Sequence, residues 1–174
     1  MAKETTATAT TNPDNNVITN NNGLLYKPDK DKLVVTGLLT AYRFSTTKYK
    51  KDQEAYQVSV ITKSLTPEVV GMIHEKYFSN TGDKYLPSWI KDYESDPTIK
   101  EVYINLKSQY EFSTFIEGKG NERFGYDDVI ELGEGLPPLN SEVKLSIRLK
   151  AGACYPLGLM ITKLNKQDVN EYFE

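Results

Sequence analysis

Residues 141–150 read S-E-V-K-L-S-I-R-L-K, in which polar and apolar side chains alternate strictly from Glu142 onward. Val143, Leu145, Ile147 and Leu149 fall on one side, and Lys144, Ser146, Arg148 and Lys150 on the other. A period of two belongs to a strand with one face in a core and one in water, because successive side chains leave opposite faces of a pleated sheet. Residues 100–107 (KEVYINLK) repeat the pattern, with Val102, Ile104 and Leu106 opposite Glu101, Tyr103, Asn105 and Lys107. Residues 54–62 (EAYQVSVIT) set Tyr56, Val58 and Val60 against Gln57 and Ser59. Further strands are predicted over 32–44, 110–117 and 155–165. The first of these contains Gly37, which predicts a bulge or bend within it.

One helical stretch interrupts the strands. Thr66 is placed to cap a helix that begins at Pro67, with Glu68 in its first turn. Val69, Val70, Ile73, Tyr77 and Phe78 then recur at helical spacing, and Gly82 and Asp83 end the element. A second short helix is predicted over 87–93, with Trp89 as a packing anchor. Two strands, a helical insertion and then strands in hairpins predict a mainly β fold. The most economical solution is a five-stranded OB-fold barrel with a helical insertion after the second strand, whose second and third strands form the usual ligand face.

A chain of 174 residues, 39% of them apolar, is long enough to bury one self-sufficient core. Residues 1–22 are mostly Thr, Ala and Asn, too polar to offset their ordering entropy, and predict a disordered polar arm. The folded domain is expected over 23–165, followed by a short acidic-aromatic tail at 166–174. One cysteine, Cys154, leaves no internal disulfide and fits a reducing cytoplasm. No apolar run is long enough to span a membrane, and the N-terminus lacks the apolar segment of a secretory signal.

Enzymatic chemistry finds little material. A single histidine, His74, leaves no His-cluster metal site and predicts a helix-surface side chain. Asp127, Asp128, Glu131 and Glu134 form a carboxylate cluster in what reads as a Gly-rich loop, where a solvated acidic loop is expected before a Mg²⁺ site. Gly118-Lys119-Gly120 lacks the spacing of a phosphate loop. The expectation is a protein that is not an enzyme and holds no metal or cofactor.

Residues 42–51 (YRFSTTKYKK) interleave three rings with four cations and contain no carboxylate, in a chain whose net charge is −3. Cations for phosphates and rings for unstacked bases are what a single-stranded nucleic-acid groove needs. Taken alone, the same run is also what a solvated strand end and Lys-rich turn look like.

Beyond the arm the chain resembles the OB-fold single-stranded DNA-binding proteins of tailed bacteriophages, of the short-tailed coliphage type. Four passages carry the likeness: 55–63 leading into the helix at 67–78; Y-I-N-L-K-S-Q-Y at 103–110; a Gly/Pro-rich linker before 141–150; and A-C-Y-P-L-G-L-M-I-T-K-L at 153–164. The resemblance covers roughly 37–164. It implies sequence-independent binding of single-stranded DNA in phage replication, recombination or repair. It also implies a tail that contacts replication or recombination proteins, here Asp168, Glu171, Tyr172, Phe173 and Glu174. The tail is shorter and less acidic than in that family, and residues 151–154 lack the extra aromatics some relatives carry there.

The expected DNA-binding set is Tyr42, Arg43, Lys48, Tyr49, Lys50 and Lys51 from the first hairpin, Tyr103, Lys107 and Tyr110 from the third strand and just beyond it, and Lys144, Arg148 and Lys150 from the fifth. In an OB barrel these segments are expected to curve around one groove. A homodimer is compatible with this, and no membrane partner is expected. The alternative is an OB-like protein-interaction module, such as a phage accessory or host-takeover factor, whose groove binds polypeptide.

Overall fold

The computed structural model describes residues 10–12, 16–47, 53–82, 86–168 and 170, with side chains for 16–43, 56–82, 86–168 and 170. In chain order the strands and helices are β1 (Thr10–Asn12), β2 (Val17–Thr19), β3 (Leu25–Lys27), β4 (Lys32–Thr47), β5 (Gln53–Thr62), α1 (Pro67–Ile73), α2 (Ser88–Ser95), β6 (Val102–Ser108), β7 (Ser113–Ile116), α3 (Tyr126–Leu132), β8 (Glu142–Lys150) and β9 (Ala153–Lys163). The alternation read from the sequence is observed in β8 and β6, while in β5 Ser59 is buried along with Val58 and Val60. Val143, Leu145, Ile147 and Leu149 of β8 are buried, as are Val102, Ile104 and Leu106 of β6 and Val58 and Val60 of β5.

The sixteen-residue β4 organises the sheet. Its first part, from Lys32 to Leu38, pairs antiparallel with β8, and from Gly37 onward it pairs antiparallel with β5, which in turn pairs with β6. β8 continues to β9, and β7 joins β9 in parallel. The result is an open mixed sheet, with β6 and β7 unpaired to each other. The mainly β fold is as expected, and the sheet does not close into a barrel. Residues 109–112 carry no strand, and the continuous strand predicted at 110–117 is reduced to Ser113–Ile116.

The predicted bulge is real but lies elsewhere. The register of β4 against β5 shifts between Leu39 and Ala41, not at Gly37. Gly37 instead lets the backbones approach closely, opposite both Thr62 of β5 and Val143 of β8. The extra residue, Thr40, keeps its hydroxyl buried without a hydrogen-bond partner among the described residues.

The helical insertion follows β5, as expected. The Thr66 hydroxyl accepts from the Val69 amide at 3.3 Å, satisfying an otherwise orphaned donor. A π-helical turn, His74–Phe78, prolongs α1. Val69, Val70 and Ile73 of α1 and Trp89, Ile90 and Tyr93 of α2 enter the core. Polar ties fix the insertion to the sheet: Tyr93 donates to the Leu65 carbonyl at 2.7 Å, Tyr77 to Asp31 Oδ1 at 2.7 Å, and Lys76 to the Pro28 carbonyl at 2.7 Å. The Tyr77 hydroxyl, followed by the Lys76 charge, holds the Asp31 carboxyl below its ordinary range. The Gly152 amide, in the turn between β8 and β9, donates to the Tyr77 carbonyl at 2.7 Å.

Two further expectations change. Within the predicted disordered arm of residues 1–22, β1 and β2 are strands of the sheet, and Ile18 is buried in the core. Just past β2, Asn20 Nδ2 donates to the Ser64 carbonyl at 2.7 Å, a further tie of this polar segment to the fold. The Gly-rich loop expected to carry the carboxylates is partly helix: Asp127, Asp128 and Glu131 lie on α3, whose seven residues are too few to show a period. Asp128 Oδ2 accepts from the Gly125 amide at 2.8 Å, so this carboxylate caps the helix. Glu134 pairs with Lys166 at 3.1 Å.

Candidate nucleic-acid interface

Opposed residues on neighbouring strands share a face, so the register places the outward side chains of β4, β5 and β6. Arg43 stands opposite Gln57, and Gln57 opposite Lys107. One step along, Ala41, Ser59 and Asn105 form a second row, in which Ala41 and Ser59 are buried and Asn105 is exposed, and Leu38, Ile61 and Tyr103 form a third. The inward partners, Tyr42, Val58 and Leu106, are buried, which fixes the direction of the first row. With strands about 4.8 Å apart, Arg43 and Lys107 are separated by roughly 10 Å across the sheet.

The middle of this face is held by hydrogen bonds. Gln57 Nε2 donates to Asn105 Oδ1 at 2.8 Å, and Ser59 Oγ donates to the same oxygen at 2.7 Å. Tyr103, 60% exposed, presents its ring at one end. Tyr110, 78% exposed, lies just past the end of β6, where its amide donates to Ser108 Oγ at 3.0 Å. Cations at one end, amides in the middle and exposed rings suit a phosphate chain with splayed bases.

Tyr42 does not belong to this face. It is 2% exposed, stacked on Tyr126 at 5.2 Å and edge-on to Phe112 at 5.9 Å, with its hydroxyl bonded to Thr114 Oγ1 at 3.0 Å. The bulge is the reason. Leu33, Val35 and Leu39 point inward before it; the inserted residue inverts the parity, so Tyr42 points in and Arg43 points out. Burial pushes the Tyr42 phenol up to about 12, against the opposing effect of the Thr114 hydrogen bond. In the unfolded chain the same phenol ionises near 10. Between about pH 10 and about pH 12 the unfolded state therefore binds fewer protons, and stability falls as pH rises. The full loss is roughly 2–3 kcal/mol. Tyr42→Phe is expected to flatten the decline in melting temperature over that range. A decline as steep as the wild type's would show that the ring is not buried.

The remaining predicted residues divide. Lys48, Tyr49, Lys50 and Lys51 lie outside the described residues, as do Glu171, Tyr172, Phe173 and Glu174 of the tail. Asp168 is exposed and accepts from the Asn170 amide at 2.9 Å. Lys144, Arg148 and Lys150 point outward from β8 as expected, but not beside Arg43 and Lys107. Arg148 is opposite Lys32 at the start of β4, eleven residues before Arg43, a strand length of roughly 33 Å.

Sequence reading left Gln57, Ser59 and Asn105 out of the site, although the alternation of β5 and β6 already put them on the Tyr103 side. Cys154 is half-buried at the start of β9, and desolvation pushes its thiol up to about 12, away from reactivity. His74 lies on the helical insertion and pairs with Glu94 of α2 at 2.5 Å. Among the described residues, no group of three or more His, Cys, Asp or Glu converges to hold a metal ion. No helix among them is long and apolar enough to cross a membrane. No protein-family model matches the chain, and neither a curated protein nor a solved structure matches it.

Proposed function

We propose that this protein binds single-stranded DNA without reading its sequence, and catalyses no reaction. The observation that carries the reading is the outward row Arg43–Gln57–Lys107 with Tyr103 on the same face. The two cations neutralise phosphates while Tyr103 and Tyr110 stack on bases. The fold we propose is an OB-type barrel whose third strand is interrupted. If β6 and β7 are one strand broken at 109–112, the strands run β4, β5, β6/β7, β9, β8 and back to β4, the order of a partly open five-stranded Greek-key barrel. α3 then lies between the third and fourth barrel strands. The proposed setting is phage replication, recombination or repair in the host cytoplasm, with the tail from Asp168 onward recruiting partners.

A fluorescence titration with poly-dT at low and high salt tests this. Affinity is expected to fall linearly on a log–log plot, by about 0.7 per phosphate contact. Replacing Arg43 and Lys107 by Ala should reduce that slope by about 1.4, and Tyr103→Ala should cost about 1–3 kcal/mol. Absence of dT binding at low salt overturns the reading and favours a protein-interaction module that uses the same face for polypeptide.

A further inference from the structure

We propose that a bound single strand continues from the β4–β5–β6 face onto the outer face of β3, β4, β8 and β9, where Lys27, Lys32 and Arg148 meet its phosphates and Tyr155 stacks on a base. The inference rests on the single-strand-binding reading above. The register sets Lys27 opposite Lys32, Lys32 opposite Arg148, and Arg148 opposite Tyr155. Tyr26, Leu33 and Ile147, one step along the same strands, are buried, so the row faces outward. Four strands at about 4.8 Å make it roughly 14 Å wide.

Like charges directly opposed on a sheet repel, and this row opposes three cations in sequence. The ion pairs among the described residues, Lys76–Asp31 and Lys166–Glu134, and the His74–Glu94 contact use none of the three. Asp31, whose carboxyl feels the Arg148 charge, is already engaged by the Tyr77 hydroxyl and Lys76. A polyanion laid along the row relieves that repulsion. The row ends in a ring: Tyr155 is 43% exposed, with the Lys150 ammonium 5.7 Å from its centroid. A ring beside cations favours a strand with bases over an acidic peptide, which has no flat faces to stack. The two faces are joined by β4 itself, and Lys144, opposite Thr36, supplies a cation between them.

The test titrates the full chain with poly-dT of two lengths, roughly 6 and roughly 30 nucleotides, bracketing the usual footprint of one OB fold. In a Lys32→Gln, Arg148→Gln double variant the salt slope on the long strand should fall by about 1.4, with the short strand unaffected. Tyr155→Ala should weaken the long strand by about 5–150-fold and leave the short one alone. Unchanged melting temperatures establish that the variants fold. An unaltered slope on the long strand overturns the continuation, as does an equal loss on both lengths, which puts the row inside the first footprint. Binding of polyglutamate that the double variant loses, with dT binding intact, assigns the row to an acidic protein and also overturns it. Wild-type protein that binds neither length removes the single-strand reading itself, a result distinguishable from all of these.

Discussion

Gly37→Ala is expected to destabilise the protein by at least about 3 kcal/mol, beyond the usual cost of overpacking. A Cβ built on Gly37 lies 2.1 Å from the Ile61 carbonyl oxygen, 2.7 Å from Val60 Cγ1 and 2.9 Å from the Ile61 carbonyl carbon. The obstacle is mostly backbone, so no side chain can rotate away. Retreat of β4 is blocked as well, because the same residue is in register with Val143 of β8 on its other side. Relief requires β5 to move off β4. That movement strains the bond from Thr62 Oγ1 to the Thr36 carbonyl, 2.7 Å long, and the ladder that positions Gln57 and Ser59. Against a typical total stability of about 5–15 kcal/mol, such a loss is large. Urea denaturation measures it. A midpoint shift equivalent to less than about 0.5 kcal/mol, the size of a neutral surface change, would show that the strands do not approach this closely.

Trp89→Ala should cost about 3–5 kcal/mol, the range for emptying a large aromatic from a core. Trp89 is 2% exposed, and its neighbours Ile90 and Tyr93 on α2 are buried with it. An eight-residue helix does not hold itself together in water, so α2 depends on these three side chains for its place. DNA affinity, corrected for the unfolded fraction, is expected to be unchanged, because Trp89 is inside the core and not on the Arg43–Lys107 face. Trp89 is the only tryptophan, so its fluorescence reports the site without labelling. Strong quenching by dT in the wild type, together with a matching affinity loss in the variant, would make Trp89 a base platform and overturn its role as an anchor.

What could be read from the sequence was what a local period encodes. β5, β6 and β8 each pack one face against a core, so their alternation named Val58, Ile104 and Leu145 as interior and Lys107 and Arg148 as exterior. The cap at Thr66 was equally legible, because a capping bond spans only three residues. Elements whose determinants lie outside the local window were not. α3 is too short to establish a period, and β2 is placed by pairing with β1 and β3, the buried Ile18 and the bond from Asn20 to the distant Ser64. The bounds of β7 depend on its parallel pairing with β9, more than forty residues further along the chain. The site divided along the same line. Arg43, Tyr103 and Lys107, grouped from the sequence, do share a face. Tyr42 was misassigned because a bulge is a mismatch between two strands and leaves no mark in either one. The grouping of Lys144, Arg148 and Lys150 with the first hairpin failed because alternation tells inside from outside but not which end of a long strand a residue sits beside.

Thr40 therefore acts on the molecule's outside from within. Because the parity of β4 turns over at this one residue, Ala41, Tyr42 and Arg43 owe their orientation to a count of residues rather than to their own chemistry. Losing or gaining one residue there would carry Arg43 into the apolar interior and swing the Tyr42 ring into water. The composition of this face can accordingly drift by exchange at alternate positions, whereas a change in the length of β4 would exchange lining for surface in a single step.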